Sequence, residues 1–137
     1  MRLLVDSHVV LWHVLDDPRL GPGPTAAIEA GDAEVLVSIA SIWEIAVKSA
    51  IGKLDGPDDL PQRLEELGFE LLGITVEHAW AVRHLPHHHG DPFDRLLIAQ
   101  AQVERLPIVT IDPSFADYDV TVVWNNPDPG STASPQS

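Results

Sequence analysis

The chain has 137 residues, 45% hydrophobic and 21% charged, which suits one soluble globular domain with a real core. It contains no cysteine, which excludes a disulfide scaffold, a thiolate zinc site and a cysteine nucleophile. Eight lysines and arginines against 21 aspartates and glutamates give a net charge of -13, which argues against broad electrostatic capture of nucleic acid.

The opening stretch, MRLLVDSHVVLW, is apolar but is broken by Asp6 and Ser7 and is followed by no small-residue cleavage site. No apolar run reaches the length of a membrane span, and the expected location is the cytoplasm. RLLVD reads as a buried strand, after which Ser7 is expected to N-cap a helix through HVVLWHVLDD that Pro18 stops. GPGPTAAIEAG is a turn feeding a short helix, AEVLVS a second strand, and SIASIWEIAVKSAIGKL a strongly periodic helix. LPQRLEELG gives a helix, FELLGIT a strand and VEHAWAVRHL another helix. A histidine-rich loop leads to a helix from Pro92 to about Arg105, then come the strands LPIVTID and DVTVVW. Alternating strands and helices predict one α/β domain over residues 1–124, a central parallel sheet of four to five strands with helices on both faces. Residues 125–137, NPDPGSTASPQS with its neighbouring asparagine, are almost free of apolar side chains and read as a disordered tail.

Ligands of open parallel sheets bind beyond the carboxyl ends of the strands. Asp6 ends the first strand, and Asp112 ends the VTID strand. The helix from Pro92 begins at that same edge, with Asp94 in its first turn. Glu44 lies one turn beyond Ser41 in the helix after the second strand. Each acid also has a plain structural use. Asp6 and Asp112 suit turns, Asp91 suits an N-cap before Pro92, Asp94 suits the positive end of a helix, and Glu44 suits a pair with Lys48. Together they carry more weight. Glu44 sits among Ile42, Trp43, Ile45 and Ala46, where a carboxylate needs a compensating cation. Several carboxylates on one rim raise one another's pKa unless a metal sits among them, and an all-oxygen set suits Mg2+ or Mn2+ rather than zinc. Such sites activate water for attack on a phosphodiester.

The run His87, His88, His89 is a weaker metal candidate, because adjacent residues in a loop point in different directions. A solvated loop fits it better, with His89 fixing Asp91 or a phosphate. Trp12, Trp43, Trp80 and Trp124 read most simply as core. Lys48, Lys53 and Arg95 are the cations nearest the acids by position.

LLVDSHVVLW, SIASIWEIAVK, GDPFDRLLIAQA and IVTID, in this order, resemble PIN-domain ribonucleases, above all the VapC toxins of type II toxin–antitoxin modules. The likeness runs from about Arg2 to Trp124, with Ser7 where the family usually has threonine. It implies a metal-dependent endoribonuclease acting on structured RNA such as tRNA or ribosomal RNA, blocked by a cognate antitoxin and working as a homodimer. It maps the acidic quartet onto Asp6, Glu44, Asp94 and Asp112, with Asp6, Asp94 and Asp112 holding Mg2+, or Mn2+ in its place, and Glu44 handling the attacking water. It also separates the two neighbours: Asp91 caps the helix and spends its carboxylate there, whereas Asp94 serves the site. A non-catalytic PIN-like interaction module is the alternative, and loss of one acid would signal it; all four are present. A phosphotransfer α/β domain is rejected, because DSH rather than D-x-D follows the first strand and no lysine lies beyond Lys53.

Overall fold

The computed structural model describes residues 1–88 and 90–123. His89, Trp124 and the tail 125–137 lie outside the described residues, and with them the expectations that fall there. Five parallel strands form one sheet in the order β3-β2-β1-β4-β5. They are β1 (Arg2–Val5), β2 (Glu34–Ser38), β3 (Glu70–Leu72), β4 (Ile108–Val109) and β5 (Val122–Val123). Helices α1 (Ser7–Val14), α2 (Pro22–Glu29), α3 (Ile39–Ala50), α4 (Leu60–Glu66), α5 (Val76–Ala81) and α6 (Pro92–Glu104) connect them.

The alternation of side chains along each strand divides the core in two. Leu3, Val5, Val35 and Val37 pack with Val9, Val10, Ile28, Ile45 and Leu64 on one face. Leu4, Leu36 and Ile108 pack with Leu97, Ile98, Phe115 and Tyr118 on the other. A sheet covered on both faces accounts for the nearly continuous apolar runs of β1 and β2. Since β2 and β3 lie to one side of β1 and β4 and β5 to the other, the order reverses between β1 and β4. That switch point opens a crevice at the carboxyl ends of the strands.

Several elements are shorter than their sequence patterns. Three residues of FELLGIT, two of LPIVTID and two of DVTVVW pair in the sheet. The helix in VEHAWAVRHL tightens into a 3₁₀ turn over Val82–His84. The first helix starts one residue earlier than expected: Asp6, not Ser7, is the N-cap, its side chain accepting the Val9 N–H, and Ser7 is the first helical residue. Two tryptophans assigned to the core are on the surface, Trp43 at 57% exposure and Trp80 at 65%. Each uses only one flank of its ring, Trp43 edge-on to Phe93 and Trp80 beneath the Arg83 guanidinium.

A buried polar chain ties α6 to its neighbours. The Ser38 hydroxyl, which also caps α3, donates to Gln100 Oε1 at 2.5 Å, and Gln100 Nε2 donates to the Gly73 carbonyl at 3.2 Å. His78, fully buried, lies 3.3 Å from the same amide and 2.7 Å from Glu104. These contacts satisfy polar groups that would otherwise be stranded inside the fold. They also fix the register of α3 against α6, the two helices that carry Glu44 and Asp94.

Candidate active site

Asp6, Glu44, Asp94 and Asp112 line one cavity of about 280 Å³ at the switch point, together with Ser7, Trp12, Lys48 and Asp91. Asp6 is buried at the end of β1; its carboxylate accepts the Val9 N–H at 2.9 Å and the Thr110 hydroxyl. Thr110 in turn accepts the Asp112 N–H at 3.0 Å, which links the ends of β1 and β4. Asp112 caps the 3₁₀ turn after β4, accepting from the Ser114 N–H and hydroxyl at 2.9 and 2.8 Å. Asp112 thus serves a turn as expected, whereas Asp6 caps α1, and both carboxylates lie at the cavity wall.

Glu44 is buried on α3 at 4% exposure, with both oxygens engaged. Ser7 donates to Oε1 and the Lys48 ammonium to Oε2, each at 2.5 Å. The expected pair with Lys48 exists, but it is a wall of the cavity rather than a surface contact. Ser7 does not cap α1; its hydroxyl crosses to α3 and holds Glu44. Asp91 caps α6 as expected, accepting from the Phe93 and Asp94 N–H groups at 2.8 and 3.1 Å. Capping does not remove it from the site. Carboxylate oxygens of Glu44, Asp91 and Asp94 lie within 4.8 Å of one another. Asp6 and Asp112 stand around that closer trio.

This crowding has an electrostatic cost. Burial first, then the charges of Asp91, Glu44, Asp6 and Asp112, push the Asp94 carboxyl up to about 8. Burial pushes Asp6 up to about 6, and the Thr110 and Val9 hydrogen bonds oppose the rise. Lys48 is held above its ordinary range by its hydrogen bond to Glu44, with smaller contributions from Asp91 and Asp94. One ammonium facing five carboxylates leaves a strong demand for further positive charge. The donor set fits a hard divalent ion: oxygen ligands only, several of them anionic, on rigid element ends.

Arg95 departs from expectation. Although it adjoins Asp94, it is buried at 8% exposure on the other side of α6. Its guanidinium donates to the carbonyls of Pro86 at 2.8 Å and Leu85 at 3.2 Å, holding the loop before α6. Neighbours on a helix point about 100° apart, which sequence adjacency hides. His88 meets the Tyr118 ring edge-on at 5.2 Å and does not line the cavity. Asp91 as a cavity carboxylate and Thr110 as a partner of Asp6 are findings of the structure that sequence motifs did not indicate. A hydroxyl two residues before a strand-end acid was the available signal for Thr110, since such spacing returns to the same side of a strand.

The sequence pattern of the PIN domain family matches residues 3–120. The chain belongs to the PIN domain family. This PIN domain is 32% identical over 113 residues to the ribonuclease VapC22 of Mycobacterium tuberculosis, covering 80% of this chain and 86% of that protein, which puts it among the VapC ribonucleases. The PIN fold also superposes on solved structures. One is VapBC2 from Rickettsia felis bound to a promoter DNA fragment, at TM-score 0.68 and 12% identity over 90% of this chain and 98% of that one. Another is a toxin–antitoxin complex from Klebsiella pneumoniae, at TM-score 0.59 and 21% identity over 92% of this chain and 98% of that one. These likenesses establish the five-stranded parallel architecture as that of the family.

Proposed function

We propose that this PIN domain is a Mg2+-dependent endoribonuclease of the cytoplasm that cleaves structured RNA, tRNA or ribosomal RNA, and is held in check by a cognate antitoxin. The observation that carries this reading is the convergence of Asp6, Glu44, Asp94 and Asp112 on one cavity, where burial holds the carboxyls of Asp6 and Asp94 above their ordinary range. Asp6, Asp94 and Asp112 are the proposed ligands of the ion, with Mn2+ able to replace Mg2+ in an all-oxygen set. Bound there, the ion supplies Lewis acidity toward water and phosphodiester. Glu44 orients the attacking water and receives its proton. The water oxygen bonds to phosphorus, the bond from phosphorus to the leaving ribose oxygen breaks, and that oxygen is protonated from solvent. Ser7 and Lys48 fix the direction of the Glu44 carboxylate, and the Lys48 ammonium adds positive charge beside the reacting phosphate.

The antitoxin partner is supported by the solved relatives, which are toxin–antitoxin complexes. A homodimer is proposed as well. Ile39, Trp43, Val47 and Ile51, each four residues on from the last, are exposed along α3, and Val76 and Trp80 are exposed on α5. Apolar surface on that scale suits an interface better than water.

The reading is tested by incubating the purified protein with total cellular RNA in Mg2+ or in EDTA and mapping the new 5′ ends. Discrete cuts are expected in Mg2+ only, and none from Asp94→Asn. Equal cutting in EDTA, or no cutting with either Mg2+ or Mn2+, contradicts it.

A further inference from the structure

A ribonuclease of charge -13 must still hold a polyanion, and its few cations are unevenly placed. Arg95 is buried, Arg63 pairs with Asp59, Arg83 lies over Trp80, Arg2 begins β1, and Arg105 lines a groove built from that same end of the strands, opposite the acids. Three others gather at one rim. Lys48 lines the acidic cavity, while Arg19 and Lys53 line a second cavity of about 360 Å³. His8 and Trp12 line both cavities, so the two adjoin at these side chains.

The second cavity has the chemistry of a nucleic-acid strand site. The Arg19 guanidinium lies 4.6 Å over the Trp12 ring, and the His8 ring meets Trp12 edge-on at 5.7 Å. Asp17 holds Arg19 in place, accepting from Nε at 3.1 Å and from Nη2 at 2.7 Å. A guanidinium has five N–H donors, so Nη1 remains for a further acceptor. Lys53 is exposed and forms no ion pair among the described residues. Among the described residues, Asp55 is the one acid lining this cavity. Acids for an ion and cations for phosphates thus line adjoining cavities.

We infer that the Arg19–Lys53 cavity binds the RNA strand beside the cleavage point, Lys53 and Arg19 taking phosphates and Trp12 with His8 abutting a sugar or base. This rests on the ribonuclease reading and adds the path of the substrate. Backbone neutralisation supplies most non-specific affinity, and stacking platforms beside cations are how single strands are held.

The test is fluorescence anisotropy with a labelled single-stranded RNA in EDTA, across a salt series, on the wild type and on Arg19→Gln, Lys53→Gln, the double variant and Arg83→Gln. Cleavage of total RNA in Mg2+ is followed in parallel. Arg19→Gln and Lys53→Gln are expected to weaken binding several-fold, and the double variant to lower the slope of log affinity against log salt by about 1.4. Arg83→Gln, which removes the same charge elsewhere, should leave both unchanged. Wild-type cleavage with no loss of affinity in the double variant overturns the subsite and leaves the ribonuclease reading standing. An equal loss in Arg83→Gln makes the effect one of net charge and also overturns it. A wild type that neither binds nor cleaves RNA overturns both readings.

Discussion

Asp94 is where the conflict among the acids is sharpest. Its folded carboxyl titrates at about 8 against an ordinary 3.8, so the native state favours the protonated form. The stabilisation from that proton is fully present below about pH 4 and is lost as pH rises through about 8. In EDTA the wild type is therefore expected to lose melting temperature steadily across this window. Asp94→Asn, which mimics the protonated form, should lose less and be the more stable protein at pH 8, while losing RNA cleavage. Melting curves at half-unit pH steps check this; parallel profiles for the two proteins would remove the electrostatic argument. Asp91 divides differently. Asp91→Ser keeps a side-chain oxygen for the cap and should melt close to the wild type, whereas Asp91→Ala should cost about 1 kcal/mol. Because the Asp91 carboxylate lies with those of Glu44 and Asp94, Asp91→Ser is also expected to bind Mn2+ more weakly by calorimetry. Unchanged Mn2+ affinity would show that capping is its whole use.

At the scale of elements, α3 and α6 decide the geometry, and Ser38–Gln100 is the joint between them. Gln100→Ala strands the buried Ser38 hydroxyl and leaves a cavity, at an expected cost of about 2–4 kcal/mol in a urea melt. A cost below about 0.5 kcal/mol would mean that the network does not hold the helices. This joint also marks what the sequence could and could not say. The order of strands and helices was legible, because apolar runs, Pro92, Gly-rich turns and helical periodicity punctuate the chain. The rim position of Asp6 and Asp112 followed from strand direction alone. Gln100 and His78 were not legible, since a polar residue on a helix reads as solvent-facing until its partner on a distant segment is known. Arg95 failed for the converse reason: adjacency in sequence is not adjacency across a helix. Trp43 and Trp80 failed because bulk and apolarity predict burial, which the packing of this fold does not give them.

For the molecule as a whole, charge is the governing quantity. The fold gathers Asp6, Glu44, Asp91, Asp94 and Asp112 around one small cavity that Lys48 also lines, and sets Arg19 and Lys53 in the cavity beside it. Carboxylates clustered without a counter-ion destabilise the compact state, so binding of a divalent cation and folding are thermodynamically linked. The most direct measurement is the stability of the free protein across a Mg2+ and Mn2+ titration at pH 8, beside Asp94→Asn. At a hundred times its dissociation constant, one bound ion should stabilise the wild type by about 2.7 kcal/mol. Asp94→Asn should start more stable and respond little. A wild-type melting temperature that stays flat through both titrations would contradict a metal centre in this cavity.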